Sequence, residues 1–166
     1  DYEWVNIHGG SLRVTVDSHW DRPIDKEIKH RLAVESEDVG KLAHLRRFAT
    51  VPPRLKRAAL RRLAEYEDAR IVGYGASAKA AVTCNYFGLA GLVEFIADTT
   101  PSKQGKYLPG SRIPICSPHA LEEAKPDVVI NFAWNWRDEA EANIRKACPD
   151  TTILYLRDLV PQPEAT

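Results

Sequence analysis

Two stretches of the chain combine residue types that could hold a ligand. The first is Gly73-Tyr74-Gly75-Ala76-Ser77-Ala78-Lys79, a Gly-x-Gly-x-x-Ala turn that follows the β-branched pair Ile71-Val72. Alanine-rich sequence compatible with a helix runs from Ala76 to Phe87. Strand, glycine turn and helix in that order can cradle a phosphate. The first N–H groups of the helix have no intrahelical partner, and its dipole favours an anion. On this reading Gly73 allows a tight turn, Gly75 admits a ligand close to the main chain, and Ala78 keeps the helix near the strand. Ser77 adds a hydroxyl and Lys79 a point charge. A plain βα turn that binds nothing has the same sequence pattern.

The second stretch is Asn131-Phe132-Ala133-Trp134-Asn135-Trp136, which offers amides and flat aromatic surface. A buried asparagine needs partners, and a sugar or base supplies them. Tryptophans at a strand end serve equally well as core or rim residues. Asp98 ends a predicted strand at the place where dinucleotide-binding folds set the acid for a ribose hydroxyl. Lys103, Gln104 and Lys106 could close over a diphosphate, or belong to a solvated loop. Catalytic groups do not emerge: none of His8, His19, His30, His44 and His119 stands at metal-ligand spacing with another. There is also no nucleophile elbow and no Walker lysine. The pattern is one that holds a ligand, with no catalytic and no metal-ligating residue identified.

The elements that must position these residues alternate from Arg70 onward. Strands are predicted at 71–73, 93–97, 113–115, 128–132 and 152–156. Helices are predicted from the glycine turn to Phe87 with Gly88 as cap, from a cap at Ser117 through Leu121, and over 137–148 with Ile144 and Ala147 inward. Residues 99–111 hold two prolines and two glycines, and read as a loop rather than a crossover helix. Strands joined by helices imply an α/β fold with a parallel sheet and right-handed crossovers. The expected order is 3-2-1-4-5. Chain order reverses between the first and fourth strands, so a crevice opens at their carboxyl ends, with the glycine turn beside Asn131 to Trp136.

Upstream, residues 2–16 read as a hairpin or edge strand broken by Gly9-Gly10. Asp21 is a candidate N-cap with Pro23 just inside a helix carrying Ile24, Ile28 and Leu32. A second helix is expected near Ser36, with Val39, Leu42, Leu45 and Phe48 on one face, and a third after Pro52-Pro53, with Leu55, Ala59, Leu63 and Tyr66 as its apolar stripe. Arg46, Arg47, Arg54, Lys56, Arg57, Arg61 and Arg62 form the opposite, solvated face. The 166 residues suffice for one core and a helical appendage. The domain division read from this is 1–17, 18–68 and 69–166. Lysines and arginines number 23, as do aspartates and glutamates, so the whole chain has no field to attract nucleic acid or an anionic membrane. No apolar run could span a bilayer. Cys84, Cys116 and Cys148 lie far apart without a C-x-x-C, which fits reduced thiols in the cytoplasm. The chain contains no methionine, which is the expectation for a piece of a longer polypeptide.

Four motifs taken together resemble one family. They are His8-Gly9-Gly10-Ser11-Leu12-Arg13, the glycine turn Gly73 to Lys79, the segment Asp98-x-x-Pro101-x-Lys103-Gln104-Gly105-x-x-x-Pro109-Gly110-x-x-Ile113-Pro114, and Asn131-x-x-Trp134-Asn135. In this order they resemble the Rossmann-like C-terminal domain of nucleotide-sugar C-methyltransferases. The resemblance implies a small zinc domain and an S-adenosylmethionine-binding methyltransferase domain upstream, acting with this domain in cis. It also implies a dTDP-linked 4-keto-6-deoxy sugar as substrate, methylated at C3 through an enolate. On that basis His8 to Val16 would be the closing strand of the upstream sheet, and the zinc ligands and catalytic tyrosine and histidine would precede Asp1. The substrate-binding residues would be Gly73, Tyr74, Gly75, Ala76, Ser77, Lys79, Asp98, Lys103, Asn131, Trp134 and Asn135. No cofactor would be held here, and the segment alone would be inactive. An NAD-binding oxidoreductase domain and a structural module that binds nothing remain the alternatives.

Overall fold

The computed structural model describes residues 2–7, 10–16, 18 and 23–159. Two compact units divide it, Asp1–Pro52 and Pro53–Thr166. The second unit is built on five short strands: β3 (Ile71–Tyr74), β4 (Ile96–Ala97), β5 (Ile115–Cys116), β6 (Val128–Asn131) and β7 (Thr152–Leu154). All pair in parallel, in the order β5-β4-β3-β6-β7. This is the predicted order, with β3 and β6 adjacent at the switch point. Every residue of β3 and β6 is buried, as expected for central strands covered on both faces.

Helices α3 (Val51–Ala64) and α4 (Ala78–Phe87) contribute Ala59, Leu63, Ala80 and Cys84 to one core, together with Ile71, Ile130 and Phe132. Helices α5 (His119–Ala124) and α6 (Arg137–Ala147) form the other with Val72, Tyr74 and Val129, through Leu121, Ala140 and Ile144. The apolar stripe expected on the third helix is therefore real, and it packs with the sheet. The compact unit begins at Pro53, whereas alternation of strand and helix, the basis of a boundary at 69, begins later in the chain.

Several element bounds differ from the sequence reading. β4 is two residues long because Val93 bridges Ala90 instead, although Glu94 and Phe95 still exchange backbone bonds with β3. Pro114 cannot donate to a ladder, so β5 starts after it, and Pro114 only accepts from Ile96. β6 and β7 end at Asn131 and Leu154, earlier than predicted. Helix α4 starts at Ala78 rather than Ala76, with the Ser77 hydroxyl accepting from the Ala80 N–H. Gly88 ends it at φ 76°, the left-handed cap that was expected. Helix α5 has Pro118 as its N-cap residue; Ser117 offers its carbonyl to Ala120, not its side chain. Residues 99–111 contain no helix, as predicted.

In the first unit, β1 (Tyr2–Val5) pairs antiparallel with β2 (Ser11–Val14), Trp4 opposite Leu12. The Tyr2 hydroxyl donates to Glu27 at 2.8 Å and its ring lies under Arg31, which ties the hairpin to helix α1 (Lys26–Asp38). Asp25 caps α1 through its carboxylate; the Asp21 expected there lies outside the described residues, as do His8, Gly9 and the tail from Val160. Ser36 does not begin a helix. It sits inside α1 with its hydroxyl on the Ala33 carbonyl, and the next helix, α2, runs over Leu42–Ala49. Leu42, Leu45 and Phe48 share a face, yet none is buried.

Leu63 and Leu45 separate the two units energetically. Leu63→Ala should cost about 2–5 kcal/mol in urea unfolding of the sheet unit, as a cavity in a packed core does. Leu45→Ala should stay within about 0.5 kcal/mol. Equal losses at both positions would overturn this division of the core.

Candidate functional site

The glycine turn is bonded chiefly to the end of β4. The Gly75 N–H bonds the Ala97 carbonyl, the Ala76 N–H bonds the Asp98 carboxylate, and the Ser77 N–H bonds the Gly75 carbonyl, each at 2.8 Å. The Ser77 hydroxyl is held as the α4 cap. The N–H groups of Ala78 and Lys79 stay unbonded among the described residues, as the first turn of any helix leaves them.

The roles first read for the small residues change accordingly. Gly73 makes no tight turn: it lies within β3, where a Cβ would stand 2.8 Å from Ile96 and 2.9 Å from Phe132. Gly75 does need its positive φ of 88°, but the neighbour occupying the space beside it is Ala133, 2.9 Å from a built Cβ. Ala78 is exposed, and the close approach of helix to sheet rests on the buried Ala76 and Ala80.

Asn131 is 1% exposed, and its partners come from the protein. Its carbonyl accepts the Ala133 N–H at 2.8 Å, and its amide donates to the Tyr155 hydroxyl at 3.1 Å. The Tyr155 hydroxyl donates in turn to Glu141, with Arg137 stacked on its ring. Burial, with the hydrogen bond to Glu141, pushes the phenol up to about 12. This network fixes the start of the 3-10 turn Trp134–Trp136. The Lys79 ammonium lies 5.3 Å from the centre of the Trp134 ring, so those two residues meet each other. Asn135 is half-buried in the same turn.

A crevice of about 400 Å³ does open at the carboxyl ends of β3, β4 and β6. Tyr74, Gly75, Ser77, Asp98 and Lys103 line it, as predicted from sequence. Gly73, Ala76, Lys79, Asn131, Trp134 and Asn135 do not: the first, second and fourth are buried, and the other three are half-buried outside its lining. Its far wall is one face of α6. Trp136, the N-cap residue, and Glu139, Ala140 and Asn143 of α6 recur at helical spacing there; Trp136 was a sequence candidate, and the other three share its spacing. Trp136 is 60% exposed, a large ring presented at the rim.

The charges inside are mostly matched. Asp98 accepts Ala76 and Lys103 on one oxygen, at 2.8 and 3.0 Å, and the Thr100 N–H on the other at 2.8 Å. Burial would push its carboxyl up, but the bonds from Thr100 and Lys103 outweigh this and hold it below the ordinary value. Gln104 closes the loop by donating to the Asp98 carbonyl. Lys106 lies outside the crevice. The Tyr74 hydroxyl accepts from the Asn143 amide at 3.1 Å, and burial raises its pKa. Such a pocket can stack and hydrogen-bond a polar ring. Cys84 lies away from it, in the core beneath α4, where burial pushes its thiol up to about 12. Among the described residues no group of three His, Cys, Asp or Glu could hold a metal. Nor is any helix among them long and apolar enough to cross a membrane.

Because the folded pKa of Asp98 is lowered, its stabilising contribution is complete above the unfolded value near 3.8 and is lost as pH falls through the folded one. Asp98→Asn should therefore flatten the acid limb of the stability–pH curve and lower stability at pH 7 by about 1–3 kcal/mol. An unchanged acid limb would show that the carboxylate is not locking the turn. Gly75→Ala should be at least as damaging as a left-handed residue forced to carry a Cβ, about 1–3 kcal/mol, measured by the same unfolding.

Comparison with known proteins identifies a family. Residues 6–154 match the family model described as the C-methyltransferase C-terminal domain. The chain is similar to the C-methyltransferase NovU of Streptomyces niveus, 34% identical over 145 residues, covering 84% of this chain and 34% of that protein. The chain thus spans about a third of that relative's length. On the strength of a match across nearly all its residues, it belongs to the C-methyltransferase C-terminal domain family.

Proposed function

We propose that this domain forms the substrate wall of an S-adenosylmethionine-dependent C-methyltransferase acting on a dTDP-linked 4-keto-deoxy sugar. The observation that carries the reading is the crevice at the switch point, whose exposed Trp136, Lys103 and polar Tyr74–Asn143 pair suit a nucleotide. Trp136 offers a stacking face, Asn143 and Glu139 offer an amide and an acceptor to a base or sugar edge, and Lys103 can share its ammonium with a phosphate oxygen. In the glycine turn the N–H groups at 75–77 are already bonded, which leaves those of Ala78 and Lys79 as the donors it can offer.

On this proposal no step of methyl transfer belongs to residues of this chain. The cofactor, the structural zinc and the catalytic groups are assigned to an upstream methyltransferase domain acting in cis, which supplies the methyl group. The hairpin supports that arrangement, since Trp4 and Val14 are more than half exposed on a two-stranded sheet that cannot be stable alone. Nucleic acid and membrane are not among the proposed partners, and the three free thiols suit a cytoplasmic setting.

The NAD reading loses support from the same geometry. The acid that would take a ribose hydroxyl is already engaged by Ala76, Thr100 and Lys103, which leaves about one acceptor site on it. The already bonded turn does favour one rival, a structural module that binds nothing. Titration of the full chain with dTDP and with NAD, followed by tryptophan fluorescence, separates the three. dTDP should give a saturable change and NAD none. Lys103→Ala should weaken dTDP about tenfold, the worth of one charged hydrogen bond, whereas Lys79→Ala, outside the crevice, should leave affinity within about twofold. A response to NAD alone would favour the oxidoreductase, and silence to both the structural module.

A further inference from the structure

Trp136 presents its ring at the crevice rim from a segment without capping side chains. It precedes α6 and gives that helix no side-chain cap, and Ala133 gives none to the 3-10 turn that follows it. Helix starts are ordinarily pinned by such a cap. The Trp136 N–H bonds the Ala133 carbonyl at 2.8 Å, which closes the turn on itself without tying it to the sheet.

Ties to the sheet come from the residue after β7. Tyr155 is buried and does not line the crevice. Its hydroxyl accepts from the Asn131 amide at 3.1 Å, and the Asn131 carbonyl accepts the Ala133 N–H at 2.8 Å. The Arg137 guanidinium lies over its ring, 3.8 Å from the centre. One side chain thus reaches both ends of the stretch 133–137, and Trp136 lies between them. Arg137 is fastened further, to Asp158 at 3.1 Å and to Glu141 at 3.5 Å. Glu141 also accepts from the Tyr155 hydroxyl, and the Asp158 N–H bonds the Tyr155 carbonyl. Tyrosine alone suits this place: its ring can take a guanidinium while its hydroxyl both accepts and donates. Phenylalanine would keep only the stack.

We propose that Tyr155 is a positioning residue for the crevice: through Asn131 on one side and Arg137 on the other, it sets where the Trp136 ring stands and so how well a flat ring stacks there. Stacking of a bound base rests on the nucleotide reading of the crevice, whereas the placing of the ring does not.

The full chain labelled with 5-fluorotryptophan separates the two. It holds four tryptophans, and Trp4→Phe and Trp136→Phe identify the fluorine resonances of those two. Tyr155→Phe, which keeps the ring, and Arg137→Gln, which changes an exposed side chain, should each shift or broaden the Trp136 resonance and leave that of Trp4 in place. Leu63→Ala, in the α3–α4 core, should lower the Tm without moving the Trp136 resonance, which distinguishes positioning from loss of stability. In calorimetry Tyr155→Phe should weaken dTDP about threefold or more, a fraction of the worth of a base stacked on an aromatic ring. A Trp136 resonance unmoved in both variants, or moved equally by Leu63→Ala, would overturn the placing of the ring. A moved resonance with unchanged dTDP affinity would overturn its bearing on binding. A wild-type chain silent to dTDP would sink the nucleotide reading alone, since the fluorine spectra decide the placing without a ligand.

Discussion

Asp98 accepts the Ala76 N–H, the Thr100 N–H and the Lys103 ammonium on one buried carboxylate, and so joins segments that the sheet alone leaves apart. β4 is only two residues long, which gives few ladder bonds to hold the loop that follows it. The carboxylate substitutes for that missing pairing. Desolvation of an isolated charge here would cost far more than any single bond returns; three donors converging on it reverse the balance, as its lowered pKa records. The turn after β3, the loop after β4 and the floor of the crevice consequently stand or fall together.

The contact between Gly75 and Ala133 is the second constraint at this edge. Adjacent parallel strands at a switch point usually part and leave room between their loops. Here the loops after β3 and β6 touch, and the opening is displaced toward α6. That displacement explains why Trp136, Glu139 and Asn143 line the crevice while Trp134 and Lys79 pair elsewhere. The Asn131–Tyr155–Glu141 chain holds the β6 side of the contact, so the end of β7 also bears on the crevice wall.

Topology was legible in the sequence because it follows from burial. Val128, Val129 and Ile130 have no polar face to present, and strands of that kind must lie inside a parallel sheet. Gly88 and the Leu55, Ala59, Leu63 stripe were legible for similar local reasons. What escaped were features decided by partners distant in sequence. Gly73 reads as a turn residue until Ile96 and Phe132 are placed on either side of it. Asp98 reads as a ligand for ribose until Ala76 and Thr100 reach it first. Ser36 looks like an N-cap, yet inside α1 its hydroxyl simply returns to the Ala33 carbonyl. The α6 wall is a different case, since Trp136, Glu139, Ala140 and Asn143 share a face by spacing alone.

A polar pocket whose groups are already paired discriminates differently from one whose donors are free. Asp98 is already engaged by three donors, so about one acceptor site on its carboxylate remains for a further donor. Lys103 can keep its contact with Asp98 and still direct a second proton outward, since an ammonium has three donors. What the crevice presents besides is shape, the exposed ring of Trp136 and one shared cation. This follows from where the hydrogen bonds already go: in this Gly-x-Gly turn the N–H groups of 75–77 are spent, and only those of Ala78 and Lys79 remain of the donors such a turn can direct at an anion.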